Sequence, residues 1–291
     1  MIIQGLKVVF SKVALFLELV KFPHTAFALP FAFTGAILAA RGVPSGRTLF
    51  WILVAMVGAR SGAMAFNRLA DWRLDALNPR TKDRALPRGL VKVGEVAFFT
   101  LFSFGLFLYA AFKLNPLCFK LAPLAIAIVS LYSYTKRFTP LTHFFLGLAL
   151  SLAPIGAWVA VTGAFDLPPL VLGLAVLTWV AGFDILYALA DIGFDRSHGL
   201  HSIPARFGPK AGVFLSRILH LFTLFLLALL IPHYGLGPFY LLGLAFSSAL
   251  LFYEHFLLGR YGMAKLKVAF FNVNGIFSFS LFAFTLLDLL L

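Results

Sequence analysis

Nine apolar stretches, each about as long as a bilayer's hydrocarbon core is thick, constrain this chain more than any other feature. They lie at roughly 22–41, 48–68, 93–113, 117–134, 142–163, 168–190, 210–231, 236–257 and 268–290. A helix of about 20 residues crosses roughly 30 Å. In hydrocarbon every backbone N–H and C=O must be satisfied internally, so such stretches fold as a bundle of spanning helices. The composition agrees: of 291 residues 61% are hydrophobic and only 12% charged, against roughly 25% charged in a water-facing domain. A soluble enzyme, a disordered tail and a disulfide-stapled secreted module are excluded. The single cysteine, Cys118, has nothing in the chain to pair with. The expectation is one all-α polytopic membrane domain over 1–291. Its first 20 residues are read as an amphipathic surface helix edged by Lys7 and Lys12, not as a cleaved signal peptide.

The net charge of +13 is a topology signal and not a nucleic-acid surface. Alternating the nine spans places 18 basic residues on one side and four, Arg41, Arg47, Lys113 and Lys120, on the other, with Arg60 and Arg68 inside span 2. The rich side is read as cytoplasmic. The N-terminus then lies inside and the C-terminus outside, in a multi-pass protein of the cytoplasmic (inner) membrane.

Acidic residues are scarce, so their grouping carries information. Five of the eleven fall in two clusters at the basic ends of spans 2 and 6, Asp71 and Asp75 in the first and Asp184, Asp191 and Asp195 in the second. Asn67, Asp71 and Asp75 share one face if the helix continues past span 2, and Asp184, Tyr187, Asp191 and Asp195 share one on span 6. Like charges repel at that spacing and are costly near a membrane. Two such stripes therefore require a cation or basic side chains between them. Oxygen-only ligands of this kind suit Mg²⁺. There is no zinc spacing, no glycine-rich phosphate loop and no Ser-His-Asp set. The basic loops that follow, with Arg80, Lys82 and Arg84 after the first stripe and Arg196 after the second, would complete a diphosphate clamp.

With these residues in view, the chain resembles the UbiA-type family of intramembrane aromatic prenyltransferases over nearly its whole length. The resemblance rests on Asn67-Arg-Leu-Ala-Asp71-Trp-Arg-Leu-Asp75 with its tail Asn78-Pro-Arg80-Thr-Lys-Asp-Arg84, and on Asp184, Tyr187, Asp191 and Asp195. Two further strings carry it: Tyr132-Ser-Tyr134-Thr-Lys136-Arg137, and the opening Lys21-Phe-Pro-His24. One departure is Arg68, where many members carry an acid.

The resemblance implies nine transmembrane helices around a central cavity capped by cytoplasmic loops. It implies transfer of a polyprenyl group from its diphosphate to an aromatic ring, with 4-hydroxybenzoate as the leading acceptor in ubiquinone biosynthesis and a dihydroxynaphthoate of the menaquinone pathway as the alternative. Asn67, Asp71 and Asp75, and Asp184, Asp191 and Asp195, are then the expected Mg²⁺ ligands. Arg80, Arg84 and Lys136 are expected to bind diphosphate. Asp191, Tyr187 and Lys136 are the expected catalytic residues, and Tyr132, Arg60 and His24 the expected acceptor contacts. Arg60 lies two turns before Asn67 and so projects more deeply into the same cavity; an ion pair with a structural acid is its alternative. From another functional class, a cation-coupled transporter would also carry intramembrane acids. Against it, these acids cluster at one face instead of the midplane, and no inverted repeat is visible.

Overall fold

The computed structural model describes residue 12 and residues 14–21, 25–266 and 272–291. Most of the surface helix expected over 1–20 lies outside the described residues, as does His24. All regular structure among the described residues is helical. The helices are α1 (Thr25–Ala40), α2 (Gly46–Leu77), α3 (Val93–Leu114), α4 (Pro116–Thr135), α5 (Thr142–Thr162) and α6 (Pro168–Ala188), then the short α7 (Ile192–Ser197) and α8 (Ile203–Phe207). The bundle closes with α9 (Pro209–Tyr234), α10 (Pro238–Tyr261) and α11 (Asn274–Leu290).

Seven helices among the described residues are long and apolar enough to cross a membrane. The apolar α1 and α11 have 16 and 17 residues, and both adjoin residues outside the description. Helix starts follow the local chemistry. Proline occupies the first turn of α4, α6, α9 and α10, where its missing N–H costs nothing. Gly163 and Gly235 close α5 and α9 in the left-handed conformation, φ 69° and 66°, a region open to glycine.

Two span readings need correction. Span 2 was expected to end at 68, but α2 runs 32 residues to Leu77, because basic side chains from elsewhere neutralise its polar last turns. Span 6 was expected to stay helical through Asp195. Instead α6 stops at Ala188, a 3₁₀ turn covers Leu189–Asp191, and α7 follows.

Close packing holds the bundle. A Cβ on Gly147 would lie 2.3 Å from the Leu177 carbonyl oxygen, and one on Gly58 would lie 2.8 Å from the Phe107 nitrogen. Small residues thus let α5 touch α6, and α2 touch α3, backbone to backbone. At the centre Trp179 stacks on Phe277 with centroids 5.1 Å apart and donates to Asn274 at 2.8 Å. Asn274 in turn donates to Glu254 Oε1 at 2.9 Å, so α6, α10 and α11 meet around one polar chain, at whose end the buried Glu254 Oε2 has no hydrogen-bond partner among the described residues.

Candidate active site

The extension of α2 puts Asn67, Asp71 and Asp75 on one stripe facing α4 and the loop that follows α2. Asp71 is buried. Lys136 Nζ stands 3.1 Å and Arg137 3.3 Å from its carboxylate, and Asn67 Nδ2 donates to it at 3.2 Å. Arg137 also donates to the Ala70 carbonyl, and Asn67 donates to Ser133 at 3.3 Å. One turn on, Asp75 accepts from Arg84 at 2.8 and 2.7 Å. The buried Arg68 lies 3.8 Å from Asp75 and donates to the Leu19 carbonyl at 3.2 Å. The residue that departs from the family pattern thus sits as a fixed positive charge beside the stripe.

The second row is divided. Asp184 pairs with the buried His143 of α5 at 2.7 Å. Asp191, the last residue of the 3₁₀ turn, receives Arg80 at both oxygens, 2.9 and 2.5 Å, and Asn78 at 3.4 Å. Asp195 accepts from Ser202 at 2.9 Å. The single helical stripe expected for these acids is therefore broken into three, each with its own partner.

Arg80 joins the two rows. It leaves the loop after α2, reaches Asp191 and donates to the Tyr187 hydroxyl at 2.8 Å, with its guanidinium 5.0 Å from the Tyr187 ring centroid. Burial works against its charge, but the hydrogen bonds and charge of Asp191 prevail and raise its pKa above the usual arginine value. Asp residues more than 100 positions apart thus come to one end of the bundle. Tyr132 lies within electrostatic reach of both Asp71 and Asp184, between the rows. Arg60 is deeper in α2; its Nε is buried with no hydrogen-bond partner, so the ion pair considered for it is not formed among the described residues.

Several residues of the site carried no role in the sequence reading. Arg137 and Asn78 stood inside the quoted motifs, and their neighbours Lys136 and Arg80 were the visible candidates. His143 had no local signal, because its partner is 41 residues away.

The donor set has the chemistry of a magnesium site: carboxylate and amide oxygens, with no sulfur. Among the described residues no three His, Cys, Asp or Glu side chains gather tightly enough to hold a metal on their own. Basic groups stand at the carboxylates of Asp71, Asp75 and Asp191, in positions that a metal-bound diphosphate would compete for.

A polytopic helical bundle with two acid rows and a set of arginines and lysines at one end defines a membrane protein with a site for a polyanion. The UbiA prenyltransferase family model matches residues 28–279, and the chain belongs to that family. It is 34% identical over 241 residues to 4-hydroxybenzoate octaprenyltransferase of Vibrio atlanticus (strain LGP32), covering 82% of this chain and 84% of the relative. The protein of that name from Aeromonas salmonicida (strain A449) is 33% identical, with 81% and 82% covered. The apo structure of a UbiA homolog from Aeropyrum pernix K1 superposes with TM-score 0.84 at 34% identity, covering 91% of this chain and 98% of that one. A UbiA homolog from Archaeoglobus fulgidus, bound to DMAPP and Mg²⁺, shares the fold at 20% identity and TM-score 0.70, covering 93% and 98%.

Proposed function

We propose that this protein transfers a polyprenyl group from its diphosphate to the ring of 4-hydroxybenzoate, in an Mg²⁺-dependent reaction of ubiquinone biosynthesis. The observation that carries the reading is the meeting of two acid rows, from α2 and from α6–α7, across Arg80, Arg84 and Lys136 at one end of the bundle. Family membership and relatives named 4-hydroxybenzoate octaprenyltransferase support the acceptor. The nine apolar stretches support nine membrane crossings, the basic-residue bias supports a cytoplasmic position for this end, and bacterial relatives support the inner membrane.

Asn67, Asp71 and Asp75 on one side, and Asp184, Asp191 and Asp195 on the other, would hold Mg²⁺, which when bound supplies the charge that makes diphosphate a leaving group. Arg80, Arg84 and Lys136 exchange their carboxylate partners for diphosphate oxygens. Each then donates charge-assisted hydrogen bonds as negative charge builds on the leaving group. The ring faces of Tyr132 and Tyr187 border the allylic cation, and the apolar wall keeps water from it. Arg60 holds the acceptor carboxylate at depth: its buried Nε has no hydrogen-bond partner among the described residues, and a planar carboxylate matches its guanidinium. Asp191, released by Arg80, takes the ring proton.

Purified protein given a prenyl diphosphate and a panel of acceptors tests this. Mg²⁺-dependent pyrophosphate release with 4-hydroxybenzoate is expected. Turnover with a dihydroxynaphthoate alone would reassign the acceptor, and no release with any aromatic acid would reject the activity.

A further inference from the structure

Helices α9 and α10 are tied together at one end and open at the other. Near the turn that joins them, the Tyr240 hydroxyl donates to the Leu227 carbonyl at 2.9 Å. Midway, His220 Nδ1 and His255 Nε2 stand 3.1 Å apart. Alongside that bridge the helices border a groove of about 660 Å³, lined by both histidines and within the size range of small-ligand sites. Its walls are two helical rows. On α9 Arg217, Leu221 and Leu224 follow one another at helical spacing, and on α10 Arg260, Phe256 and Phe252 do the same. Each row is apolar except for the arginine at its end.

The two arginines lie at the same face of the membrane. Gly212 of α9 packs against Pro204 and Ile185, which sets the start of α9 beside the end of α6, where the acid rows meet. With 26 residues, α9 is about 39 Å long, roughly 9 Å more than the hydrocarbon core. Arg217 is about 12 Å from the start of α9, close to where the hydrocarbon begins. Arg260 is the second-last residue of α10. Both arginines are exposed, and neither has a carboxylate within ion-pair distance among the described residues. Between them a Cβ on Gly259 would meet nothing within 4 Å, so the groove is open at the level of the charges. His255, which lines it, has a buried Nδ1 with no hydrogen-bond partner.

We propose that this groove binds an anionic phospholipid, with its headgroup phosphate held between Arg217 and Arg260 and an acyl chain lying along Leu221, Leu224, Phe252 and Phe256. Charge complementarity carries the choice of occupant. Two guanidiniums with no carboxylate partner among the described residues, Arg260 resting on the Tyr261 ring with 5.9 Å to its centroid, stand at the headgroup level of a lipid-facing cleft and match one phosphate. Basic pockets between membrane helices recognise acidic headgroups in this way. The apolar rows below them run about 10–12 Å along the helices, enough to seat the first part of an acyl chain. The site is separate from the acid rows, and its test does not need turnover.

The experiment is native mass spectrometry of the full chain in neutral detergent, titrated with phosphatidylglycerol or phosphatidylcholine. One phosphatidylglycerol per chain should bind at least tenfold more tightly than phosphatidylcholine. The double variant Arg217→Gln/Arg260→Gln should lose at least tenfold, and Arg73→Gln, an exposed arginine elsewhere, should change nothing. Gly259→Phe, which fills open space without meeting backbone, should block the lipid while unfolding at the wild-type temperature; it decides the matter if the arginine variant is unstable. Equal binding of the two lipids, or undiminished phosphatidylglycerol binding in Gly259→Phe, would overturn the proposal. So would displacement of the lipid from wild type by geranyl diphosphate, because that would assign the groove to the prenyl donor.

Discussion

The two aspartates of the α2 stripe should differ sharply in what they do for stability, and the difference follows from who is left behind when each is removed. Asp75 has 7% of its side chain exposed and shares its charge with Arg84, 26% exposed, and Arg68, 7% exposed. In Asp75→Ala, Arg84 can turn to water, but Arg68 is left with the Leu19 carbonyl and Asn67 as hydrogen-bond partners and the more distant charge of Asp71. Breaking a buried pair in this way costs about 3–5 kcal/mol. Asp71 is equally buried, yet its partners Lys136 and Arg137 are 32% and 37% exposed and re-solvate when released. Asp71→Ala should cost about 1–3 kcal/mol, the range for losing hydrogen bonds to a charged group. The expected gap, about 2 kcal/mol, corresponds to about 3 °C in Tm for a chain of this length. Thermal unfolding of detergent-solubilised protein without Mg²⁺ or diphosphate measures it. Adding Arg68→Met to Asp75→Ala should recover much of the loss, since the stranded charge is then gone. If Asp75→Ala melts no lower than Asp71→Ala, or Arg68→Met recovers nothing, the stranded-arginine argument is wrong.

Arg60→Lys should raise the KM for the aromatic acid and leave that for the prenyl diphosphate nearly unchanged, because lysine lacks the bidentate fork; a shift confined to the donor KM would move Arg60 to the diphosphate. Arg80→Ala should lower kcat by at least tenfold with little change in Tm, since its side chain is 36% exposed; wild-type turnover would remove it from the leaving-group site. His143→Ala should weaken Mg²⁺ activation about 10–100-fold by leaving Asp184 unheld, the usual effect of removing an outer partner, and a Mg²⁺ titration of initial rates reads it. Gly147→Ala should lower Tm by several degrees, since its Cβ would press on the Leu177 carbonyl at 2.3 Å; an unchanged Tm would mean that α5 and α6 have slack.

How much of this was legible in the chain divides along the line between local and distant chemistry. Apolar length places most of the long helices to within a few residues, because a bilayer imposes a length that can be counted; α2 runs nine residues past its expected end, since its last turns are polar and carry no apolar signal. Asn67, Asp71 and Asp75 were legible as one face because helical periodicity is local. That basic groups must stand among the acids was legible too, since unscreened like charges at that spacing cannot persist. Which basic group meets which acid was not. Arg137 reaches Asp71 from 66 positions away, and His143 reaches Asp184 from 41, and no periodicity within one helix encodes such a pairing.

The second acid row shows why spacing alone misled. Three residues of 3₁₀ helix advance about 120° each where α-helix advances about 100°, so the turn at Leu189–Asp191 rotates everything after it by roughly 60°. Asp191 and Asp195 are carried off the face of Asp184, which stays with His143 on α5. Asp191 is turned toward the loop after α2, within reach of Arg80, and Asp195 toward Ser202. A straight helix would have stacked Asp184, Asp191 and Asp195 on one face, where like charges repel; the break removes Asp184 from that face, while Asp191 still acts on Asp195. The broken one gives each carboxylate a separate partner, and only one of the three, Asp191, is closed off by an arginine from the opposite row. Under the proposed reaction a polyanion entering at the second row displaces Arg80 from Asp191, while Asp184 and Asp195 keep His143 and Ser202, which hold them in place.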